Sequence, residues 1–131
     1  MSGRQRPTGA PMAIFEVWDI VRVPFPYTDR PVRQRRPALV VAAGEIEATH
    51  GLLWLVMITS AENRGWPDDA GISDFHAAGL PAPSIVRPAK IATVDARDAQ
   101  RLGTLPHADR EAVASGLRRI LCAALETPGK R

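Results

Sequence analysis

Cysteine, histidine and aromatic residues are all scarce in this chain of 131 residues. The single cysteine, Cys122, excludes an internal disulfide framework and favours a reducing compartment, the cytoplasm. Because Cys122 falls in an apolar helical stripe, we expect a packed thiol rather than a nucleophile. The three histidines, His50, His76 and His107, are too far apart to form ligand pairs, so the sequence predicts no metal site.

Long apolar runs and common enzyme motifs are also lacking. The longest apolar run, 52–58, is far shorter than the roughly 18 residues that a membrane helix needs. The basic N-terminus lacks the apolar centre of a signal peptide. No Gly-x-Ser-x-Gly nucleophile motif and no glycine-rich phosphate loop occur. These absences argue against a membrane protein, a serine hydrolase and a nucleotide-dependent enzyme, and no cofactor is predicted.

Arginine is the dominant charged residue, since lysine occurs only at Lys90 and Lys130, and the net charge is +3. Five arginines lie close together near the N-terminus: Arg22, Arg30, Arg33, Arg35 and Arg36. The planar guanidinium group matches phosphate oxygens. The cluster is therefore either a solvated basic face or a surface that binds nucleic acid.

The order of predicted elements indicates one domain, residues 14–126, between tails at 1–13 and 127–131. Predicted strands cover 15–23, 38–42, 52–58, 72–75, 84–87 and 90–94, the last two separated at Pro88. A helical period follows at Val113, Leu117, Ile120, Leu121 and Ala124. Strands followed by a single helix are typical of a mainly β fold, a small barrel with a C-terminal helix packed on it.

Polar groups stand at the ends of several predicted strands. Arg36 precedes the second strand, and Thr59 and Ser60 follow the third. Arg87 ends the first of the two segments around Pro88. In a small barrel these groups can meet at one rim, where fixed guanidinium groups would stabilise the transition state of RNA cleavage by the substrate's own 2′-OH. The alternative is that the arginines form structural ion pairs.

Two tryptophans are candidates for stacking on nucleic-acid bases. Trp54 lies inside the apolar run, so we expect it in the core. Trp66 lies in a loop that contains Gly65 and Pro67, and it is the better stacking candidate.

The chain resembles the MazF/PemK/Kid toxin family from about Trp18 to Leu125. The matching segments are DIVRVPFPYTD (19–29), RRPALVV (35–41), MITSAEN (57–63), AGLPAPSIVRPAKIATVD (78–95) and LGTLPHADREAV with LRRIL (102–121). The resemblance implies an SH3-like small barrel, a homodimer and a cognate antitoxin protein. It also implies a metal-independent, sequence-selective endoribonuclease that cleaves single-stranded RNA by 2′-OH attack.

The resemblance assigns roles to individual residues. Arg36 would stabilise the transition state, with proton donation as a second role. Thr59 would position the phosphate or the 2′-OH, and Arg87 would act as general acid. The RNA-binding residues that we predict are Tyr27, Thr28, Asp29, Arg33, Arg35 and Ser60.

Two positions depart from the family pattern. Trp18 replaces a glycine before the first-strand aspartate, and it either changes the dimer edge or packs. Ala89 replaces an acidic residue that acts as base in one branch, which leaves the base open between Asp29, Glu62 and simple orientation by Thr59. The alternative function is a non-catalytic or gyrase-poisoning, CcdB-like binding protein on the same fold, although the C-terminal ETPGKR lacks the aromatic end of that branch.

Overall fold

The structure is a computed structural model that describes residues 13–24 and 34–126. A single antiparallel sheet of six strands forms its scaffold. The strands are β1 (Asp19–Pro24), β2 (Arg35–Ala42), β3 (Leu52–Ser60), β4 (Ala70–Gly71), β5 (Ser84–Asp95) and β6 (Gln100–Thr104). The helices are α1 (Glu45–His50) and α2 (Arg110–Glu126), with 3-10 turns at Ala61–Asn63, Ala96–Asp98 and His107–Asp109. The strand order is β4-β5-β3-β2-β1-β6. The predicted mainly β fold with a C-terminal helix is confirmed, whereas the predicted tails, Ala13 apart, lie outside the described residues.

Both faces of the sheet carry apolar side chains, because alternate residues of each strand point to opposite faces. The helix-side core packs Val113 of α2 against the sheet, and its strand residues include Ile20, Leu39, Val56, Ile58 and Val86. The opposite core contains Phe15, Val21, Val23, Ala38, Val40, Leu53, Leu55 and Met57. Burial on both faces explains why β3 reads as a continuous apolar run in the sequence.

The apolar stripe of α2 is buried only in its first half. Val113 is fully buried, but Leu121 and Leu125 are 42% and 83% exposed. Cys122 is also exposed, so the expectation of a packed thiol is wrong. The C-terminal half of α2 therefore leaves apolar side chains in contact with solvent. None of the helices within 13–24 and 34–126 has the length and apolarity that crossing a membrane requires.

Several predicted strand boundaries are corrected. The short strand is β4 at Ala70–Gly71 rather than 72–75, and 84–95 form one continuous strand. Pro88 does not break β5, because the β3–β5 pairing shifts register at this point. Met57 lies opposite Arg87, and the preceding residue, Val56, lies opposite Ile91, so residues 88–90 have no paired partner in β3. Proline is tolerated at such an irregularity, where a ladder hydrogen bond is already missing. The sequence also gave no sign of α1 or β6.

Trp18, which stands where the resemblance implies a glycine, has a backbone φ of 83°. A bulky residue seldom adopts this left-handed conformation, which glycine tolerates without strain. The Trp18 side chain packs against the helix-side core, and the guanidinium carbon of Arg110 lies 5.7 Å from the centre of a Trp18 ring. Of the two possibilities that the sequence left open, the structure shows packing within the chain.

Candidate active site

The strand pairings place Arg36, Thr59 and Arg87 on one face of the sheet. Ala38 of β2 lies opposite Met57 of β3, and Met57 in turn lies opposite Arg87 of β5. Residues directly opposite each other share a face, as do residues two apart in one strand. Arg36 is two residues before Ala38, and Thr59 is two residues after Met57. The three side chains therefore project from the same side, next to the opposite core.

The same ladders fix which residues face each other near the strand ends. Continuing the β2–β3 register by two residues sets Arg36 opposite Thr59. Continuing the β4–β5 register by one residue, from Ala70 opposite Val86, sets Asp69 opposite Arg87. Two neighbouring rows across the sheet thus each contain one pair of polar residues, Arg36 with Thr59 and Asp69 with Arg87.

Arg87 is held by a bidentate ion pair with Asp69. Its Nε donates to Asp69 Oδ1 at 3.0 Å and its Nη2 donates to Asp69 Oδ2 at 2.9 Å. The Nη2 group also donates to the main-chain oxygen of Asn63 at 2.7 Å. Both charged side chains are more than nine-tenths buried. Such paired, charge-assisted hydrogen bonds fix the guanidinium plane.

This pairing favours the charged form of both groups. The hydrogen bond from Arg87 holds the pKa of Asp69 below its ordinary value of 3.8. The same hydrogen bond raises the pKa of Arg87 above its already high ordinary value. Loss of a proton from Arg87 is therefore disfavoured, and Asp69 is a weak base. The geometry favours a fixed positive charge at Arg87 over the general-acid role that the family resemblance implies.

Thr59 is linked to this pair through the turn that follows β3. The Asn63 amide nitrogen, Nδ2, donates to Thr59 Oγ1 at 2.9 Å, and the main-chain oxygen of Asn63 accepts from Arg87. Thr59 itself is buried. The neighbouring Ser60 side chain accepts from the Glu62 N–H at 3.2 Å, which caps the 3-10 turn. Asn63 thus connects the Thr59 hydroxyl to the Arg87–Asp69 pair.

Trp66 covers the Arg87 guanidinium group from outside. The Arg87 Cζ lies 4.2 Å from the centre of a Trp66 ring, and Lys90 Nζ lies 6.0 Å from it. Asp69 Oδ2 accepts hydrogen bonds from the N–H groups of Trp66 and Gly65, at 3.0 Å and 3.1 Å. One carboxylate therefore holds both the loop backbone and the buried arginine.

The other predicted site residues fall into three groups. Arg35 donates through Nη2 to the main-chain oxygens of Arg22 and Asp98, at 3.3 Å and 3.2 Å. The side chain of Ser60 caps the turn, as described above. Four residues lie outside the described residues: Tyr27, Thr28, Asp29 and Arg33.

Sequence reasoning missed Asn63 and Asp69. Asn63 ends the 3-10 turn after β3 and Asp69 lies in the loop before β4, where no periodicity or motif spacing marks a residue as functional. The only signal for Asp69 is its position one residue before β4, and that signal requires knowledge of how β4 pairs with β5. Among residues 13–24 and 34–126, no group of three or more histidine, cysteine or acidic side chains is arranged to hold a metal ion.

The antiparallel sheet with the C-terminal helix packed on it, and the arginines that share one face of the sheet, define a small barrel-like fold with a basic site. The family model described as PemK-like, MazF-like toxin of type II toxin-antitoxin system matches residues 16–121. The chain therefore belongs to this toxin family. A comparison with curated protein sequences gives no match.

Solved structures of similar fold include MazF proteins and toxin complexes from bacteria. MazF (Form-I) from Deinococcus radiodurans is 22% identical with a TM-score of 0.68, covering 83% of this chain and 97% of that one. MazE-MazF (Form-II) from the same organism is 23% identical with a TM-score of 0.66, and the match covers 82% of this chain and 95% of that one. An endoribonuclease in complex with its cognate antitoxin from Mycobacterial species is 16% identical with a TM-score of 0.63, and the match covers 81% of this chain and 93% of that one. These similarities confirm the predicted MazF-like barrel fold.

Proposed function

We propose that this toxin is a metal-independent endoribonuclease that cleaves single-stranded RNA sequence-selectively in the cytoplasm. Membership of the PemK-like, MazF-like family supports this proposal. The observation that carries it is the placement of Arg36, Thr59 and Arg87 on one face of the sheet. A basic, strand-end site of this kind attracts the phosphate backbone and needs no cofactor to bind it.

The chemistry assigned to this site is a transesterification at phosphorus. The 2′-oxygen attacks the adjacent phosphorus and loses its proton, and the bond to the 5′-oxygen breaks as that oxygen gains a proton. The products are a 2′,3′-cyclic phosphate and a 5′-OH. Arg36 stabilises the extra negative charge of the transition state, and Thr59 orients the reacting groups. Arg87 acts through the turn that positions Thr59.

The base that accepts the 2′-OH proton has a candidate in the turn after Thr59. Asp69 is engaged by Arg87, and its lowered pKa makes it a poor proton acceptor. Glu62 lies three residues after Thr59 and is exposed. Of the two carboxylates that the sequence suggested, Glu62 is the one within the described residues, and Asp29 remains the alternative.

The direct test uses purified protein, a long single-stranded RNA and EDTA. We expect discrete fragments whose 5′ ends are phosphorylated by polynucleotide kinase without prior phosphatase treatment, because cleavage leaves 5′-OH groups. The same RNA annealed to its complement is the control and should stay intact. Intact single-stranded RNA, combined with growth arrest on expression in bacteria, would instead support the non-catalytic or gyrase-poisoning alternative.

We further propose that two copies of the chain associate through an exposed apolar patch. Trp54, Ile91, Ala92, Thr93 and Leu121 line an open groove of about 270 Å³. Trp54 and Ile91 are 40% and 45% exposed, so the expected core position of Trp54 is wrong. A patch that spans β3, β5 and α2 can pair with its own copy around a two-fold axis. A cognate antitoxin is the second proposed partner, because the structures of similar fold include an endoribonuclease in complex with its cognate antitoxin.

Leu121→Glu should convert the dimer to a monomer, because the new carboxylate would be buried without a partner at the interface. Light scattering coupled to size-exclusion chromatography measures the mass. Ser115→Glu is the control, since it adds the same charge to an exposed position of α2 outside the patch. A monomeric wild type, or a Leu121→Glu protein that stays dimeric, contradicts this interface.

A further inference from the structure

Trp66 is a large aromatic side chain held at the surface rather than in the core. It is 46% exposed, in a chain in which aromatic residues make up only 5% of the sequence. Single exposed apolar residues are common, so exposure alone assigns nothing. What distinguishes Trp66 is the number of contacts that fix its position.

Three contacts immobilise Trp66. Its main-chain N–H donates to Asp69 Oδ2 at 3.0 Å, and its main-chain oxygen accepts from the Asp69 N–H at 3.1 Å. Its ring lies against the Arg87 guanidinium group, at 4.2 Å. Because Arg87 is itself buried and paired, the ring rests on a rigid cation. A ligand that stacks on such a ring loses little free energy to ordering the protein.

An exposed cation, Lys90, lies beside the ring. Lys90 is exposed, and its Nζ lies 6.0 Å from the ring centre. An aromatic face beside a flexible ammonium group is the combination that proteins use for single-stranded nucleic acid, where the ring stacks on a base and the cation contacts a phosphate. The ring is also connected to the proposed catalytic residues, since Arg87 contacts both Trp66 and Asn63, and Asn63 contacts Thr59.

We propose that Trp66 and Lys90 form a nucleotide subsite for single-stranded RNA, in which one base stacks on Trp66 and an adjacent phosphate binds Lys90. This inference rests on the proposed ribonuclease function and adds a specific contact to it. Arg87 and Asp69 are positioning residues of the subsite, because they hold the ring without reaching the RNA. Stacking tolerates every base, so the subsite contributes affinity and placement of the strand more than sequence choice.

The experiment measures equilibrium binding of a single-stranded RNA that the protein cannot cleave. A mixed-sequence oligonucleotide with 2′-fluoro groups lacks the nucleophile, and a second oligonucleotide of the same length with abasic sugars lacks the bases. Fluorescence anisotropy gives Kd for both. We expect Trp66→Ala to raise Kd roughly tenfold for the base-containing strand, with no change for the abasic strand. Trp66→Phe should lie between Trp66→Ala and wild type.

Lys90→Gln is the matched variant for the phosphate contact. It should weaken the binding of both oligonucleotides equally and reduce the slope of log Kd against log salt concentration by about 0.7. Thermal unfolding checks that each variant is folded. If Trp66→Ala does not fold, Trp66→Phe still tests the inference, because it keeps an aromatic ring on Arg87.

The outcomes separate this inference from the proposed function. If Trp66→Ala and Trp66→Phe bind the base-containing strand as wild type does, or if Trp66→Ala weakens both strands equally, the stacking subsite is wrong while RNA binding stands. If those variants lose binding to the cognate antitoxin instead, the ring is a protein contact and the inference fails. If wild type binds neither strand, the ribonuclease proposal itself fails.

Discussion

Replacing Arg36 by alanine should lower the rate of RNA cleavage at saturating substrate by about 10²- to 10³-fold. Arg36 lies on the same face as Thr59, and the continued β2–β3 register sets the two opposite each other. Charge that develops on the phosphate oxygens would therefore be met by a guanidinium group carried on a strand. Removing a fixed donor of this kind costs much more in the transition state than in the bound substrate.

Arg35→Ala provides the matched control for this prediction. It removes the same charge from the neighbouring residue, which bonds to the oxygens of Arg22 and Asp98. We expect a weaker apparent affinity and a kcat within a few-fold of wild type. Arg36→Lys keeps the charge but loses the planar fork, and it should recover only part of the rate. Single-turnover cleavage of a 5′-labelled RNA measures all three variants.

Equal loss of kcat in Arg35→Ala and Arg36→Ala would show that the cleavage rate depends on the total positive charge of the site rather than on the position of the Arg36 guanidinium group. A fully active Arg36→Ala protein would remove Arg36 from the mechanism. In either case the binding experiments with the non-cleavable strand remain interpretable, because they do not depend on turnover.

Breaking the Arg87–Asp69 pair should have the largest effect on stability. Asp69→Ala leaves a buried guanidinium group without its carboxylate and frees the N–H groups of Gly65 and Trp66. We expect a loss of about 3 kcal/mol in the free energy of unfolding, at the lower end for a buried ion pair because only a loop covers it. Cleavage should fall as well, since Asn63 and Trp66 lose their anchor.

Chemical denaturation followed by far-UV circular dichroism measures this loss. Glu111→Ala is the control, because it removes an exposed ion pair with Arg118 and should change stability by less than about 1 kcal/mol. Similar values for Asp69→Ala and Glu111→Ala would contradict the structural importance of the Arg87–Asp69 pair.

The same pair predicts how stability depends on pH. Arg87 lowers the pKa of Asp69 below 3.8, so the stabilising, ionised form is present at neutral pH and is lost as pH falls through that lowered value. The stability difference between wild type and Asp69→Asn should be constant from about pH 5 to pH 8. It should shrink only below pH 3.8. A difference that already shrinks near pH 5 would mean that Asp69 is not held ionised by Arg87.

Much of the fold follows from local patterns in the sequence. The 3.6-residue period of α2 and the apolar strands around residues 20, 40 and 55 predicted the mainly β fold and its C-terminal helix. The prolines and polar stretches marked most of the connections. The exposed half of α2 could not be predicted, because periodicity shows which side chains share a face but not whether another element covers that face.

The candidate site was predicted only in part. The positions of Arg36 and Thr59 near strand ends are visible in the sequence, whereas Arg87, predicted at a strand end, lies inside the continuous strand β5. The register of β2, β3 and β5 is what sets the three residues on one face. The pairing of Arg87 with Asp69 favours a fixed charge at that arginine over the proton donor that the family resemblance implies. No spacing rule connects residues 69 and 87, since their contact arises from a β4–β5 pairing that spans a loop.

The sequence by itself determined the fold class, the position of the helix and the residue types available for binding phosphate. Tertiary structure alone decided which carboxylate meets Arg87, how Trp66 is held at the surface, and that Trp54 and Cys122 are exposed. The physical reason is the range of the interactions: periodicity and turn chemistry act between near neighbours, whereas strand register and coverage depend on residues far apart in the chain.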